Sequence, residues 1–228
     1  MDIQLSIIIS CYIQNDCDIV EEKLRRYDAM PIDLKKHFRI IIVDDSSPKR
    51  ITLPRMNLNL TLLRVLEDLP WNQPGARNLG TCYATTLKIF LTDIDHFIPQ
   101  STMEFAVNKQ LAINEVYTFK RIINNEPINR HVNTFLLRKD FFMQMNLYDE
   151  DFVGSYGHDD TFVTSFSFIK HNAVVREADF TIETNHQIGH NLIRDVTINT
   201  EKLKNKNGEH SKKILRFPWE FVGETNCI

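Results

Sequence analysis

The feature that most constrains the fold is an alternation of strand-like and helix-like segments in the first half of the chain. Short apolar runs, rich in β-branched side chains and bounded by polar residues, predict buried strands at residues 5–10, 38–43, 60–66 and 87–92. Helical patterns cover residues 16–30 and 74–86, which lie between these runs. Strands that alternate with helices predict an α/β fold in which a mostly parallel sheet is flanked by helices.

The second half of the chain is less regular and predicts a smaller, mixed region. Its patterns indicate a helix at about 102–112, strands at 115–121 and 131–137, and a helix after His158. Residues 201–216 are basic and polar, which predicts a solvated and partly mobile tail.

Composition excludes several classes of protein. With 228 residues, 43% hydrophobic residues, 25% charged residues and a net charge of −3, the chain suits one large soluble domain and carries no basic footprint for nucleic acid. No secretory signal or membrane-spanning run is present, and the four cysteines form no C-x-x-C pair. We therefore expect a cytoplasmic protein, and the sequence leaves peripheral membrane contact and oligomeric state open.

Polar residues follow three of the predicted strands. Ser10 and Tyr12 follow the first, Asp44 and Asp45 open "DDSSP" after the second, and "DID" ends the fourth. In an open α/β sheet, ligands bind beyond the carboxyl ends of the strands. The three strand ends together predict a site for a nucleotide and a metal.

Asp93 and Asp95 would point the same way from an extended segment and repel each other, which calls for a positive group between them. A divalent cation, Mg²⁺ or Mn²⁺, would satisfy them and bridge to phosphates, whereas a strand-end turn would need no metal. His186 and His190 in "NHQIGHN" lie where a further ligand could come from, and an imidazole would favour Mn²⁺. Surface histidines in a loop are the alternative.

Two further motifs lie at predicted helix starts. Asp159 and Asp160 in "GSYGHDD" could act as helix caps, or one of them could be a general base facing a crevice. Arg77 and Asn78 in "PWNQPGARNLG" could hold a diphosphate at the helix start, or the arginine could be exposed to solvent. This glycine spacing is neither G-x-G-x-x-G nor a P-loop.

Taken in order, the segments "LSIIISCY", "IIIVDDSSP", "PWNQPGARNLG", "LTDIDHF", "LYDEDFVGSYGHDD" and "HQIGH" resemble the inverting glycosyltransferases of the GT-A fold, especially those like family 2. The resemblance runs from about Leu5 to His190, and its specificity comes from the ordered set. It implies a GT-A, Rossmann-like fold with a nucleotide-sugar-binding half at 1–95 and an acceptor-binding, catalytic half at 96–195. The basic tail at 196–228 follows.

The resemblance also implies a role for each site residue. Asp44 and Asp45 would recognise the nucleotide base and ribose in a pocket lined by Ser10 and Tyr12. Arg77 and Asn78 would lie near the nucleotide sugar. Asp93 and Asp95 would bind the metal, and His186 or His190 would be its last ligand. Asp160 would be the catalytic base and Asp159 an acceptor-binding group. His158 and Asp159 depart from the glycine and glutamate of the family's "GGED" stretch, so the relatives' acceptor and sugar preferences do not carry over.

The sequence thus predicts a metal-dependent inverting glycosyltransferase, which moves a sugar from a nucleotide diphosphate sugar, chiefly a UDP-sugar, to a hydroxyl of a glycan or glycoconjugate. Two other classes remain open. A sugar-nucleotide pyrophosphorylase would share the sheet and the metal but needs a glycine-rich, basic N-terminal loop, and "SCYIQNDCD" is acidic. A non-catalytic nucleotide- or carbohydrate-binding domain would need no base.

Overall fold

The computed structural model describes residues 3–14, 18–184 and 193–228. The strands in these ranges are β1 (Leu5–Cys11), β2 (Phe38–Asp44), β3 (Leu60–Val65), β4 (Lys88–Asp93), β5 (His96–Phe97), β6 (Glu115–Ile123), β7 (Glu126–Ile128), β8 (Phe135–Arg138), β9 (Val174–Thr184) and β10 (Trp219–Thr225). The helices are α1 (Asp18–Asp28), α2 (Ile32–Lys35), α3 (Gln73–Tyr83), α4 (Gln100–Asn108), α5 (Lys139–Gln144), α6 (Asp159–Phe162), α7 (Phe168–Lys170) and α8 (Thr197–Lys206). A 3₁₀ turn (Glu150–Phe152) precedes α6, and a π-helical turn (Val163–Ser167) joins α6 to α7.

The strands form one mixed sheet in the order β10-β3-β2-β1-β4-β8-β6-β9-β5, and β7 pairs with β6. Strands β3, β2, β1 and β4 are parallel neighbours, as the alternation of the first half predicts. Strands β10 and β8 flank them antiparallel, and β6 runs antiparallel to β8 but parallel to β9. The α/β class is confirmed, but the sheet is mixed rather than mostly parallel.

Both faces of the parallel strands are buried. Along β1, Ile7 and Ile9 pack into one hydrophobic cluster with Leu24 of α1, while Ile8 packs into a second cluster with Leu79 of α3. This follows from the alternation of side chains across a strand, and burial on both faces explains why the strand sequences are almost uniformly apolar.

Helix α3 lies very close to the sheet. A Cβ atom added to Gly80 would stand 2.5 Å from Cγ2 of Ile8, and one added to Gly75 would stand 2.2 Å from Oδ1 of Asn72. The two glycines of "PWNQPGARNLG" therefore permit close packing of α3, which fixes where its polar residues lie.

The C-terminal segment is part of the fold. Residues 201–216 were expected to form a solvated, mobile tail, but α8 packs on the loop before α6, and β10 pairs with β3 at the edge of the sheet. Lys206 and Arg216 of this segment form ion pairs with acidic residues before α6, described below. Among the described residues, no helix is long and apolar enough to cross a bilayer.

Candidate active site

A cavity of about 600 Å³ opens at the carboxyl ends of the parallel strands and collects most of the predicted site residues. One side, which we call the strand-end wall, consists of residues at or just beyond the ends of β1, β2 and β4: Ser10, Tyr12, Asp45, Asp93 and Asp95. A second group of lining residues, which we call the loop wall, comes from loops of the second half and the start of α6: His131, Tyr156, Asp159, Asp160 and Arg194.

The end of β1 offers two hydroxyl groups to the cavity. Ser10 is buried, and its Oγ has no hydrogen-bond partner among the described residues. The hydroxyl of Tyr12 lies 3.5 Å from Oδ2 of Asp68, a cavity residue that the sequence did not single out. Burial, followed by the charge of Asp68, raises the pKa of Tyr12. Both hydroxyls remain neutral hydrogen-bonding groups at neutral pH.

Asp44 and Asp45 have different environments. The Asp44 carboxylate forms an ion pair with Arg64 and accepts a hydrogen bond from the backbone N–H of Ser47 at 2.9 Å, and it does not line the cavity. Asp45 does line it and accepts a hydrogen bond of 2.7 Å from Nδ2 of Asn72. Burial raises the pKa of Asp45 to about 7. Of the predicted nucleotide-binding pair, only Asp45 therefore lines the cavity.

Arg77 joins the two walls. Its side chain is fully buried and forms an ion pair with Asp93 of β4 and another, at 3.4 Å, with Asp159 at the start of α6. The sequence predicted contact with a diphosphate, or a solvent-exposed arginine. Burial contradicts the solvent-exposed alternative, and the two terminal nitrogens of the guanidinium are directed at carboxylates of the protein, while contact with a diphosphate stays a prediction.

Asp93 and Asp95 are each opposed by a cation. Burial acts to raise the pKa of Asp93, but the Arg77 guanidinium outweighs it and holds this pKa at about 2. Lys23 of α1 donates hydrogen bonds to the carbonyl groups of Ile94 and His96, which flank Asp95. Burial and the neighbouring Asp93 raise the pKa of Asp95. The protein itself thus supplies the positive groups that the repulsion between Asp93 and Asp95 requires.

Two histidines complete this region. Asp93, His96 and His131 each place one possible ligand atom within 4.8 Å of the others, so together they could hold a metal ion. Burial lowers the pKa of His96 and of His131 to about 4, so both imidazoles are neutral at neutral pH. A neutral imidazole is the form that binds metal. The sequence did not single out either histidine, although His96 lies within the "DIDHF" motif.

Asp159 and Asp160 open α6 and both line the cavity. Burial, only partly offset by Arg77, raises the pKa of Asp159 to about 6. The Asp160 carboxylate accepts a hydrogen bond of 2.6 Å from the backbone N–H of Thr161. His158 precedes them with a φ of +67°, a left-handed conformation that glycine adopts more readily. This explains why a glycine fits the corresponding place of the "GGED" stretch.

The other acidic residues before α6 turn away from the cavity. Lys206 of α8 pairs with Asp149 at 2.7 Å and with Asp151 at 2.8 Å, and Glu150 accepts a hydrogen bond of 2.8 Å from the backbone N–H of Leu215. These three carboxylates attach the C-terminal segment to the loop wall.

Asn78 also has a supporting position. It is fully buried, donates 2.9 Å hydrogen bonds to the Tyr148 carbonyl and the Glu150 carboxylate, and accepts one of 3.0 Å from the backbone N–H of Tyr148. These bonds fix the loop that leads to α6. Like Arg77, Asn78 does not line the cavity, and its position near the nucleotide sugar stays a prediction. His186 and His190 lie outside the described residues.

Asn199 of α8 was missed by the sequence analysis. Its Nδ2 lies 2.7–2.9 Å from the carbonyl oxygens of Phe152, Ser155 and Gly157, and the side chain is fully buried. Lys202, one turn further along α8, donates to the carbonyl of Asp151. An asparagine in a polar, basic segment gives no signal of such a role, because its partners are backbone groups more than 40 residues away.

Comparison with known proteins identifies the fold. No family model and no curated protein matches the chain. Among solved structures, Staphylococcus aureus TarS (residues 1–349) superposes with a TM-score of 0.61 at 16% identity, covering 80% of this chain and 60% of that one. TarS in complex with UDP-GlcNAc gives 0.61 at 15% identity, covering 82% and 60%. A Drosophila β1,4-galactosyltransferase 7 mutant in complex with manganese, UDP-Gal and xylobiose gives 0.57 at 9% identity, covering 87% and 79%.

These similarities define the class of fold. The structural neighbours are GT-A glycosyltransferases, and the GT-A fold predicted from the sequence is confirmed. At identities of 9–16% the likeness concerns the fold alone, and the chain spans about 60% of the TarS chains that it matches.

Proposed function

We propose that the chain is a metal-dependent inverting glycosyltransferase that uses a nucleotide diphosphate sugar, chiefly a UDP-sugar, to glycosylate a hydroxyl of a glycan or glycoconjugate. The observation that carries the proposal is the convergence of six carboxylates from four separate segments on one cavity: Asp45, Asp68, Asp93, Asp95, Asp159 and Asp160. The fold supports it, and so do the UDP-sugars and the manganese named for the neighbouring structures.

The strand-end wall would hold the sugar donor. Asp45, with Ser10 and Tyr12 beside it, is placed to accept hydrogen bonds from a nucleotide base or ribose, and the hydroxyls can donate or accept. The described residues near Asp93 fit a divalent metal, since they bring a carboxylate and two neutral imidazoles together. Bound there, Mn²⁺ or Mg²⁺ would neutralise charge on the departing diphosphate.

The loop wall would hold the acceptor. Asp160 is placed to take the proton of the attacking hydroxyl, and the N–H of Thr161 orients its carboxylate. Asp159, tied to Arg77, would accept a hydrogen bond from the acceptor. Attack from the face opposite the leaving diphosphate is a single displacement, which inverts the anomeric carbon.

Binding is tested by thermal shift of the pure protein with UDP-, GDP-, dTDP- and CMP-sugars, each with and without Mn²⁺. A ligand that binds only the folded state raises the apparent melting temperature. We expect a Mn²⁺-dependent shift with one nucleotide class, weakened in Asp45→Ala. The absence of any shift, with or without metal, would reject the site for the sugar donor.

Catalysis is tested by Asp160→Asn. Loss of a general base costs on the order of 10²–10⁴-fold in rate, so we expect kcat to fall by that factor while the donor-induced thermal shift is kept. Asp33→Asn is the matched control, because the Asp33 side chain is 95% exposed and lies in α2. Near-normal turnover in Asp160→Asn would show that another residue is the base.

A further inference from the structure

The described residues offer possible metal ligands outside the D-x-D motif. We infer that Asp93, His96 and His131 bind the divalent cation directly, as a set of two histidines and one carboxylate that does not include Asp95. This inference rests on the proposed function, and it identifies which residues of that site hold the metal.

The three side chains reach a common point from separate elements. Asp93 ends β4, His96 begins β5, and His131 lies in the loop before β8. Their ligand atoms lie within 4.8 Å of one another. Two ligand atoms bound to one ion at about 2.0–2.2 Å lie no more than about 4.4 Å apart, so only a small adjustment would bring all three onto one ion.

The His96 ring holds its Nδ1 beside two threonine hydroxyls and leaves its Nε2 without a hydrogen-bond partner among the described residues. Its Nδ1 lies 3.4 Å from Oγ1 of Thr92 and 3.4 Å from Oγ1 of Thr134. Its Nε2 is buried without a hydrogen-bond partner among the described residues, and the nearest carboxylate, that of Asp95, is 4.0 Å away. A buried nitrogen without a partner is costly, and a metal ion would satisfy it.

The ring of His131 is oriented in the same way. Its Nε2 lies 3.6 Å from Oδ2 of Asp93, and its Nδ1 lies 3.3 Å from Oγ1 of Thr134. The backbone N–H of Asn133 also donates a long hydrogen bond, of 3.4 Å, to Nδ1. Metal binding at Nε2 would place the ring proton on Nδ1, which would then donate to Thr134 instead. The Thr134 hydroxyl can thus accept from both imidazoles, as the partners of metal-binding histidines commonly do.

Arg77 binds one carboxylate oxygen of Asp93 and leaves the other available to a metal ion. Arg77 binds Oδ1 of Asp93, so Oδ2, on the side of His131, is the oxygen that a metal would take. A set with two nitrogen ligands favours Mn²⁺, Co²⁺ or Zn²⁺ over Mg²⁺ or Ca²⁺, which prefer oxygen. Asp95 lines the cavity beside this set and would act on water or phosphate at the open positions of the ion.

The test measures metal binding directly on the full chain after chelator treatment. Mn²⁺ affinity is obtained by titration with electron paramagnetic resonance of the free ion, and pulsed measurements on the bound ion detect coupling to imidazole ¹⁴N. We expect ¹⁴N coupling in the wild type, reduced in His131→Ala, with a loss of affinity of at least about 10–100-fold, the range seen when a partner of a ligand is removed. We expect Asp95→Ala to keep most of the affinity.

His171→Ala is the control, because His171 is half-buried at the end of α7 and is remote in sequence from the cluster. His131→Gln provides a second variant, and retention of the wild-type melting temperature would exclude unfolding as the cause. Unchanged Mn²⁺ affinity in folded His131→Ala, with loss in Asp95→Ala, would overturn the assignment while leaving the glycosyltransferase proposal intact. Metal binding that requires His131, without any nucleotide-sugar binding, would support the assignment and reject the proposed function.

Discussion

The two walls of the cavity are built in different ways. Residues of the strand-end wall follow buried strands, so the backbone hydrogen bonds of β1, β2 and β4 fix their positions. Residues of the loop wall lie on segments outside the sheet, which are held by side chains such as Asn78, Asn199 and Lys206. Sheet topology therefore positions one wall, and a network of buried polar contacts positions the other.

Arg77 is the residue at which the two systems meet, since it binds Asp93 of one wall and Asp159 of the other. The proposed reaction needs both walls at a fixed separation, because the acceptor hydroxyl must reach the anomeric carbon in line with the diphosphate. Substitutions in each wall, and at Arg77 between them, separate the contributions of the two walls to stability and to turnover.

The largest effect is expected from Arg77→Met. This change leaves the carboxylates of Asp93 and Asp159 buried without their cation, and breaking a buried ion pair from one side costs about 3–5 kcal/mol. The free energy of unfolding, measured by denaturant titration, should fall by that amount. Arg25→Met is the control, because Arg25 is 69% exposed and pairs with Glu21 on the same helix. A loss as small as that of the control would show that Arg77 does not connect the walls.

The second prediction concerns the strand-end wall and pH. The pKa of Asp45 is about 7 in the folded chain against an ordinary value of 3.8, so between about pH 4 and 7 the folded state binds more protons than the unfolded state. The contribution of Asp45 to stability is therefore full at low pH and is lost as pH rises to 7, by up to about 4 kcal/mol. Asp45→Asn should remove this part of the pH dependence.

The measurement is the free energy of unfolding of metal-free, nucleotide-free protein from pH 4 to 8, for the wild type and Asp45→Asn. The variant should lose less stability than the wild type as pH rises. Asp33→Asn, on the exposed surface of α2, should follow the wild type throughout. Parallel curves for the wild type and Asp45→Asn would mean that Asp45 titrates normally.

The contrast between the walls also explains what could be predicted from the sequence. The parallel strands β1 to β4, and the positions of Ser10, Asp45 and Asp93 at their ends, follow from short buried runs with polar ends. The mixed remainder of the sheet does not follow, because β9 and β10 are half-exposed and carry mixed polar and apolar residues. Their pairing is decided by tertiary contacts, which leave no local pattern.

The same reason accounts for the site residues that were placed differently or missed. Arg77 and Asn78 were assigned from the helix start, but their buried partners come from residues 93, 148, 150 and 159. His131 joins Asp93 only because β8 pairs with β4 and brings the preceding loop to the cavity. The motif order identified the class of fold, whereas long-range pairing decided which side chains line the cavity.

The third prediction tests the loop wall through Asn199→Ala. The change removes donation to the carbonyl groups of the loop at 152–157, and leaving buried acceptors unsatisfied costs about 1–3 kcal/mol. Because this loop leads to Asp159 and Asp160, kcat should fall while the donor-induced thermal shift, which depends on the other wall, should persist. Asn114→Ala is the control, since it removes a single exposed hydrogen bond, to the carbonyl of Asn172. Equal loss of donor binding and turnover would contradict the independence of the two walls.

The smallest effect is expected from Arg216→Gln, which probes how the C-terminal segment is attached. Arg216 is 40% exposed and pairs at 3.0 Å with Asp151, which is 35% exposed, and such exposed pairs contribute about 0–1 kcal/mol; the buried Glu150 is further away, at 3.7 Å. In this variant Glu150 would keep its hydrogen bonds from the backbone N–H of Leu215 and the side-chain amide of Asn78, and Asp151 would keep its ion pair with Lys206. The free energy of unfolding should therefore change by no more than about 1 kcal/mol, and turnover should stay close to wild type. A larger loss would mean that this half-exposed arginine, rather than the buried amides of Asn78 and Asn199, determines the position of the loop wall.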